Sequence, residues 1–298
     1  MTVASPCVGT CKLDETTGWC IGCARSGEEI AAWGSETDQW RASIWDQLPA
    51  RFEELGVTCR RLPWEPREIH DFVARSLRSA AGTWAVGVVG AVAEFSARRG
   101  ASVAVETDGA TIEAVTPSGN LRFLIDDQVR ALSFEPPEKP FERQRIVLAI
   151  KRERGRLPVT TALSDLGVDE AAVRPEDRAM RLFDLGLGRK EARFAVRCCP
   201  GITETALVAA SGLPFGEALP RIGPLLVKQS PARIVESALG RIEVLTPIPG
   251  SGGVSPAGPH THLLPDHLAT GRAMPVGMDL PRAYLPGAIF YPAFYPAS

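Results

Sequence analysis

The 298-residue sequence lacks any long apolar run. Its longest run, from Trp84 to Ala93, is about half of the roughly 20 residues that a membrane-spanning helix needs, and it ends at Glu94. Residues 1–20 also lack the basic stretch followed by an apolar stretch that marks a secretory signal. We therefore expect a cytoplasmic protein that makes no contact with a membrane.

The sequence also lacks an excess of charge of either sign, with 33 Lys and Arg residues against 35 Asp and Glu residues. Residues 1–52 carry four basic and seven acidic side chains. A protein that binds nucleic acid needs basic side chains for the phosphates. The charge balance therefore makes nucleic acid an unlikely partner. We expect the partner to be an unidentified protein.

Motifs that carry a catalytic nucleophile are absent as well. The sequence contains no Gly-x-Ser-x-Gly and no His-Glu-x-x-His, and no serine or cysteine has an evident catalytic base beside it in the sequence. No catalytic residue can be assigned from these patterns. The balance favours a protein that is not an enzyme.

What the sequence does contain is a cluster of cysteines near its beginning. Cys7, Cys11, Cys20 and Cys23 fall within seventeen positions, in the pattern C-x3-C-x8-C-x2-C. In a reducing compartment such a cluster indicates metal ligands or redox groups more than disulfides. Four thiolates suit tetrahedral zinc and equally an iron-sulfur cluster, and the spacing leaves both open.

The residues after the cysteines predict short helices. Ser26 and Glu29 have the spacing of a capping box, and Ser35–Asp38 indicates a second helix start. Trp40, Ile44 and Leu48 form one apolar stripe along that helix, which we expect residues 48–51 to interrupt. A metal would compensate for the small core of so short a unit. We predict a four-cysteine module over residues 1–56 and a linker over residues 57–68.

The stretches around these cysteines resemble a known bacterial family. SPC, CKLDETTGWCIGCARS, EEIAAW and LPAR, between residues 5 and 52, are similar to the domain of unknown function 1289. Its members are described as predicted iron-sulfur proteins. The resemblance implies a metal ion or cluster at Cys7, Cys11, Cys20 and Cys23, and no established activity.

The remainder, residues 69–298, predicts an α+β domain with a mainly antiparallel sheet and flanking helices. Residues 101–135 alternate between apolar and polar and contain two turn signals, which is typical of a β-meander. We expect further strands at 193–198 and 233–246, and helices after residue 69, near 169–184 and near 203–211. The aromatic tail is expected to cover an edge of the core. WAVGVVGAVAEF, LFDLGLG, GRIEV and GPHTHLLP resemble the domain of unknown function 6925, which implies no activity.

Three of the four histidines lie close together, at His260, His262 and His267. In an extended segment His260 and His262 point the same way and can approach one ion, with His267 or a carboxylate such as Asp266 completing the set. Imidazoles in a proline-rich loop also serve simply as hydrogen-bonding groups, and this structural use is the more common one. A second metal site at these histidines is therefore one hypothesis, and a purely structural role in hydrogen bonding is the other.

Three functions follow from these patterns. The first is a metalloprotein that acts as an accessory or interaction unit, with zinc or an iron-sulfur cluster at the four cysteines. The second is an iron-sulfur protein that transfers electrons or senses redox state. The third is a metal-dependent enzyme that uses the His260–His262 segment.

Overall fold

A computed structural model describes residues 3–88, 91–96, 103–135, 139–140, 143–248, 260–262 and 280–293. In these residues five α-helices form, and no helix there is long and apolar enough to cross a bilayer. The helices are α1 (Gly27–Ala32), α2 (Asp38–Glu54), α3 (Pro66–Arg78), α4 (Ile202–Ala210) and α5 (Phe215–Gln229).

Seven strands form an antiparallel sheet, here called sheet A. In spatial order they are β1 (Arg60–Arg61), β7 (Val129–Ser133), β8 (Ile146–Lys151), β15 (Tyr284–Pro292), β2 (Gly82–Val88), β3 (Ala91–Ser96) and β14 (His260–His262). The strand β15 is the last of the described strands along the chain, yet it lies in the middle of the sheet. Its register places Ile289 opposite both Ala85 and Val147.

Eight further strands form a second antiparallel sheet, sheet B. Their spatial order is β4 (Ala104–Asp108), β5 (Thr111–Thr116), β6 (Gly119–Leu124), β13 (Gly240–Val244), β12 (Ala232–Ser237), β11 (Ala192–Cys198), β10 (Arg181–Asp184) and β9 (Ser164–Val168). The meander predicted for residues 101–135 is confirmed as β4, β5 and β6, with Gly109 at φ +56° in the first turn.

The two sheets face each other across the main core. Alternate residues of each strand point inward, as in Ile112 and Ala114 of β5, because side chains alternate between the two faces of a strand. Trp84 of sheet A meets Phe123 of sheet B at 5.5 Å between ring centroids. Helix α3 packs against this core through Ile69, Phe72, Val73 and Leu77. The predicted α+β class with mainly antiparallel sheets is confirmed.

Helices α4 and α5 pack against the β10–β11 end of sheet B. Leu207 and Ile222 meet Phe183, Val196 and Cys198 in a separate buried cluster. The helix predicted near residues 203–211 is confirmed as α4. Helix α5 was not predicted, since Pro220 and Pro224 lie inside it and prolines usually end a helix.

Three local predictions are wrong. Residues 169–184 form a loop, a 3-10 turn at Pro175–Asp177 and strand β10 instead of a helix. Helix α2 continues through Pro49 to Glu54, and its buried stripe extends from Ile44 and Leu48 to Phe52. The aromatic tail is not a cover over an edge, since residues 284–292 form the central strand of sheet A and are almost fully buried.

The segment 57–68, predicted as a linker, takes part in the larger fold. Its residues Arg60 and Arg61 form β1 against β7, and Leu62 is fully buried in the main core. Cys59 packs against the cluster on the outer face of sheet A. The segment that connects the two predicted domains is therefore anchored, and the boundaries 1–56 and 69–298 stay a prediction.

Candidate metal centre

A tight turn presents the second pair of cysteines. The backbone N–H groups of Cys23 and Ala24 donate to Cys20 O at 3.2 and 2.7 Å. A Cβ atom on Gly22 would lie 2.7 Å from Thr10 O, so only glycine lets the Thr10 backbone pass this close. The close approach brings the segment between Cys7 and Cys11 onto the Cys20–Cys23 turn.

The four thiols stand as two pairs. Cys7 is hydrogen-bonded to Cys11, and the charge on the Cys7 sulfur is the main cause that raises the pKa of Cys11, followed by burial and by Cys20. Cys20 is hydrogen-bonded to Cys23. Cys20 and Cys23 are buried, Cys7 is half-buried and Cys11 is exposed. The centre therefore has one closed side and one side open to solvent.

The environment of Cys20 favours a thiolate. The bond from the Cys23 thiol, followed by the N–H groups of Gly22, Cys23 and Lys12, lowers the pKa of Cys20 to about 5 against the opposing effect of burial. The same bond and burial raise the pKa of Cys23. The carbonyl oxygen of Thr10 lies 3.0 Å from Cys20 Sγ and accepts a hydrogen bond when the thiol is protonated.

A buried arginine lies beside the thiols. Arg25 is 3% exposed, its Nε lies 3.5 Å from Cys23 Sγ, and its guanidinium stacks over the Trp33 ring at 4.5 Å. A positive charge held in this position stabilises negative charge on sulfur. The arginine lies two residues after Cys23, and its position beside the thiols is not evident from the sequence.

The donor set fits a metal, although the thiols do not converge as a closed site. Among the described residues, no group of three or more His, Cys, Asp and Glu side chains is arranged to hold a metal ion. The chemistry nevertheless suits a metal that thiolates bind, because all four candidate ligands are sulfur atoms. The backbone N–H groups and the Arg25 guanidinium stabilise the negative charge of these thiolates. Loading requires the two pairs to close on each other.

Helix α2 is tied to the cysteine turn by one arginine. Arg51 donates to both carboxylate oxygens of Glu29, at 2.6 and 2.9 Å, and to Ala24 O at 3.2 Å. Glu29 in turn accepts from Ser26 N at 2.8 Å, which completes the capping box predicted from the sequence. The Arg51 guanidinium also lies 5.2 Å from the centroid of the Trp19 ring.

The first cysteine pair is pressed against sheet A. Val8, which lies between Cys7 and Cys11, is 1% exposed and packs with Ala85, Leu132 and Tyr284 on the outer face of the sheet. Arg61 of β1 donates to Ser5 O beside it. The candidate centre is therefore in contact with the larger fold and not only with the N-terminal helices.

Comparisons with known proteins agree with both resemblances seen in the sequence. Residues 68–296 match the model of a family of unknown function, DUF6925. The chain belongs to DUF6925. Residues 5–52 match a second model, described as a protein of unknown function, DUF1289. No curated protein and no solved structure matches the chain.

The histidine segment of the DUF6925 region forms the edge strand β14. Its backbone pairs with β3, with His260 opposite Glu94 and His262 opposite Val92. The side chains of both histidines and the whole of His267 lie outside the described residues. The second metal site at His260, His262 and His267 therefore stays a prediction.

The DUF6925 region also contains a buried ionic network that the sequence did not reveal. On the outer face of sheet B, Arg197 donates to Asp169, Asp177 and Glu243 at 2.6–3.0 Å. Arg241 donates twice to Asp169 at 2.8 Å. Charged residues that alternate with apolar ones on β11 and β13 indicate a solvent face. Here the loop that begins at Asp169 covers that face, and we had expected a helix there.

Proposed function

We propose that the protein is a metalloprotein in which Cys7, Cys11, Cys20 and Cys23 hold one zinc ion or one iron-sulfur cluster. In this proposal the centre is structural and fixes the N-terminal segment against sheet A. The protein then acts as an accessory or interaction unit, and its partner is another protein. The proposal takes the four cysteines as one site, with no catalytic residue assigned.

The burial of Val8 carries this proposal. The residue lies within the first cysteine pair, so any ligand that fixes Cys7 and Cys11 also fixes the side chain that packs on sheet A. Fully burying one valine contributes about 1.5–3 kcal/mol. A metal or cluster bound at the cysteines would therefore stabilise the contact between Val8 and sheet A.

Each nearby residue has a role in holding such a centre. The N–H groups of Gly22, Cys23 and Lys12 point to Cys20 Sγ and stabilise its thiolate. Arg25 offsets part of the negative charge that four thiolates would bring. A bound zinc ion supplies only ligation, whereas an iron-sulfur cluster also supplies electron transfer.

Metal content of the whole chain tests the proposal. Protein purified without oxygen is analysed for zinc, iron and acid-labile sulfide, and its visible spectrum is recorded. We expect one zinc, or iron with sulfide, in the native chain, and its loss in Cys20→Ala. The exposed Cys199 lies outside the cluster, so Cys199→Ala should keep its metal. Native chain without metal, or a Cys20→Ala variant with undiminished metal, would contradict the proposal.

A matched pair of glycines tests the docking role. Gly9 and Gly18 both have left-handed backbone, at φ +79° and +71°, so alanine causes similar backbone strain at each. A Cβ on Gly9 would also lie 2.5 Å from Ala283 Cβ, whereas a Cβ on Gly18 would meet nothing within 4 Å. Limited proteolysis should cut residues 1–56 several-fold faster in Gly9→Ala than in Gly18→Ala. Equal rates would show that the contact with sheet A does not hold the segment.

The exposure of Cys11 supports a second candidate function. A centre with one thiol at the surface is accessible to an electron donor or acceptor, which suits electron transfer or redox sensing. This function requires a broad visible absorption band that dithionite bleaches. Colourless protein from anaerobic cells would exclude it and leave the structural role.

We also propose the cytoplasm as the compartment. All seven cysteines are free thiols in the structure, which is typical of proteins in a reducing compartment. Nucleic acid is not proposed as a partner, because residues 1–52 carry more acidic than basic side chains.

A further inference from the structure

An apolar groove lies at the carboxyl end of helix α3. It has a volume of about 470 Å³ and is lined by Phe72, Arg75, Ser76, Arg78, Ser79, Ala81 and Phe290. Phe72 and Phe290 form its floor, with ring centroids 5.2 Å apart. A concave site of this size, mainly apolar with a few polar groups at its rim, is typical of sites for small molecules.

Two arginines of this groove are not used by the fold. Arg75 and Arg78 are exposed, and within the described residues neither side chain forms a hydrogen bond or an ion pair. On the same helix, Oδ1 of Asp71 lies 3.7 Å from Nδ1 of His70. The part of the lining that the structure describes contains no carboxylate. The rim therefore carries two positive charges that lack a partner in this part of the chain.

The end of helix α3 does not need these guanidinium groups. The carbonyl of Arg75 accepts from Ser79 N at 2.9 Å and from Ser79 Oγ at 2.7 Å. The carbonyl of Leu77 accepts from Ala80 N at 3.3 Å, and that of Ser76 accepts from Ala81 N at 3.0 Å. Trp84 Nε1 is likewise satisfied by Ser76 Oγ at 2.9 Å. These four polar groups beside the groove are therefore paired without either guanidinium group.

We propose that this groove binds a small anionic amphiphile, a carboxylate carried on an apolar chain. The apolar chain would lie on Phe72, Ala81 and Phe290, where it leaves water. The carboxylate would lie at the rim between Arg75 and Arg78, because a guanidinium pairs with a carboxylate through two parallel hydrogen bonds. The ligand class follows from the combination of an apolar floor and a rim of positive charge.

Calorimetric titration of the full chain with decanoate tests the proposal. We expect saturable binding of one decanoate per chain, and at least tenfold weaker binding in the double variant Arg75→Gln/Arg78→Gln. Arg67→Gln removes one positive charge from the same helix outside the groove, and it should bind as the native chain does. Equal affinity of the native chain and the double variant would overturn the proposal.

The ligand series and a blocking variant sharpen the result. The uncharged decanol and the cationic decyltrimethylammonium should each bind at least tenfold more weakly than decanoate. Ser79→Trp places a large side chain at the exposed rim, so it should abolish binding while circular dichroism and the melting temperature stay native. Unchanged binding in this folded variant, or equal binding of the three amphiphiles, would overturn the proposal. Light scattering identifies the alternative occupant, since dimers of the chain that dissociate in Ser79→Trp would assign the groove to a second copy.

Discussion

The N-terminal module and the two-sheet fold are held together by different means. The core of the module consists of Ala24, Ile44, Leu48 and Phe52, with Trp33, Trp40 and Trp45 partly exposed around it. Among the residues that the structure describes, 26 buried apolar residues form the core between the sheets. The module adds the Arg51–Glu29 pair and the clustered thiols to a small core. A short segment with little apolar surface to bury depends for its stability on such ion pairs and on ligation by the thiols.

The first prediction tests the apolar side of this comparison, where the largest effect is expected. Phe123 is fully buried and contacts Trp84, so Phe123→Ala removes a large side chain and leaves a cavity. We expect the free energy of unfolding to fall by about 3–5 kcal/mol. Denaturant unfolding measures this loss. Leu219→Ala, at a residue that is 43% exposed, is the control and should change stability little.

A second prediction compares two arginines of sheet B. The Arg197 side chain is 1% exposed, and Arg197→Met would remove one of the two arginines that pair with the buried Asp169 and Glu243, leaving only Arg241. Breaking a buried ion pair from one side costs about 3–5 kcal/mol. The Arg181 side chain is 44% exposed and pairs with Asp165, so Arg181→Met should cost at most about 1 kcal/mol. Similar losses in the two variants would contradict the difference in burial.

The third prediction concerns the module. Arg51→Met removes the bonds to Glu29 and Ala24 O, and we expect a local loss of about 1.5–3 kcal/mol, the range for hydrogen bonds to charged groups. Hydrogen exchange should speed up in residues 20–52 and stay unchanged in the two sheets. Glu28→Gln on the same helix is the control, since Glu28 is exposed. Faster exchange throughout the chain would show that the two regions unfold together.

The smallest effect is expected from pH. Burial alone would raise the pKa of Glu243, but the hydrogen bond and charge of Arg197 outweigh it and hold the pKa below its usual range. The stabilisation is therefore complete above the ordinary glutamate pKa of about 4.3 and is lost as the pH falls through the lower value in the folded state. Unfolding between pH 3 and 7 should show this loss in the native chain and a weaker one in Glu243→Gln. An identical pH dependence would remove Glu243 as the cause.

Much of the fold could be predicted from local patterns. Alternating apolar residues and turn signals gave the β4–β6 meander, and the Ser26–Glu29 spacing gave the capping box of α1. The central place of β15 could not be predicted in this way, because strand pairing between residues far apart leaves no local signal. The loop after Asp169 was predicted as a helix. The residue pattern of this loop does not show that Asp169 forms ion pairs with Arg197 and Arg241 of sheet B.

The candidate site shows the same division. The spacing of the cysteines predicted the ligand set, and the structure adds the Arg25 contact, the Thr10 approach to Gly22 and the contact with sheet A. These depend on where distant segments meet. The groove at α3 is formed by residues that are far apart in the sequence, Phe72 and Phe290. No single stretch of sequence indicates it.

The position of β15 has a consequence for the order in which the chain is made. The segment around Val8 is synthesised long before β15, yet the surface that receives it includes Tyr284 and Ile289 of β15. Sheet A cannot close between β8 and β2 until residues 284–292 have been added. Contacts between such distant residues form slowly. During synthesis, the cysteines on either side of Val8 therefore stay uncovered by sheet A until residues 284–292 have been made.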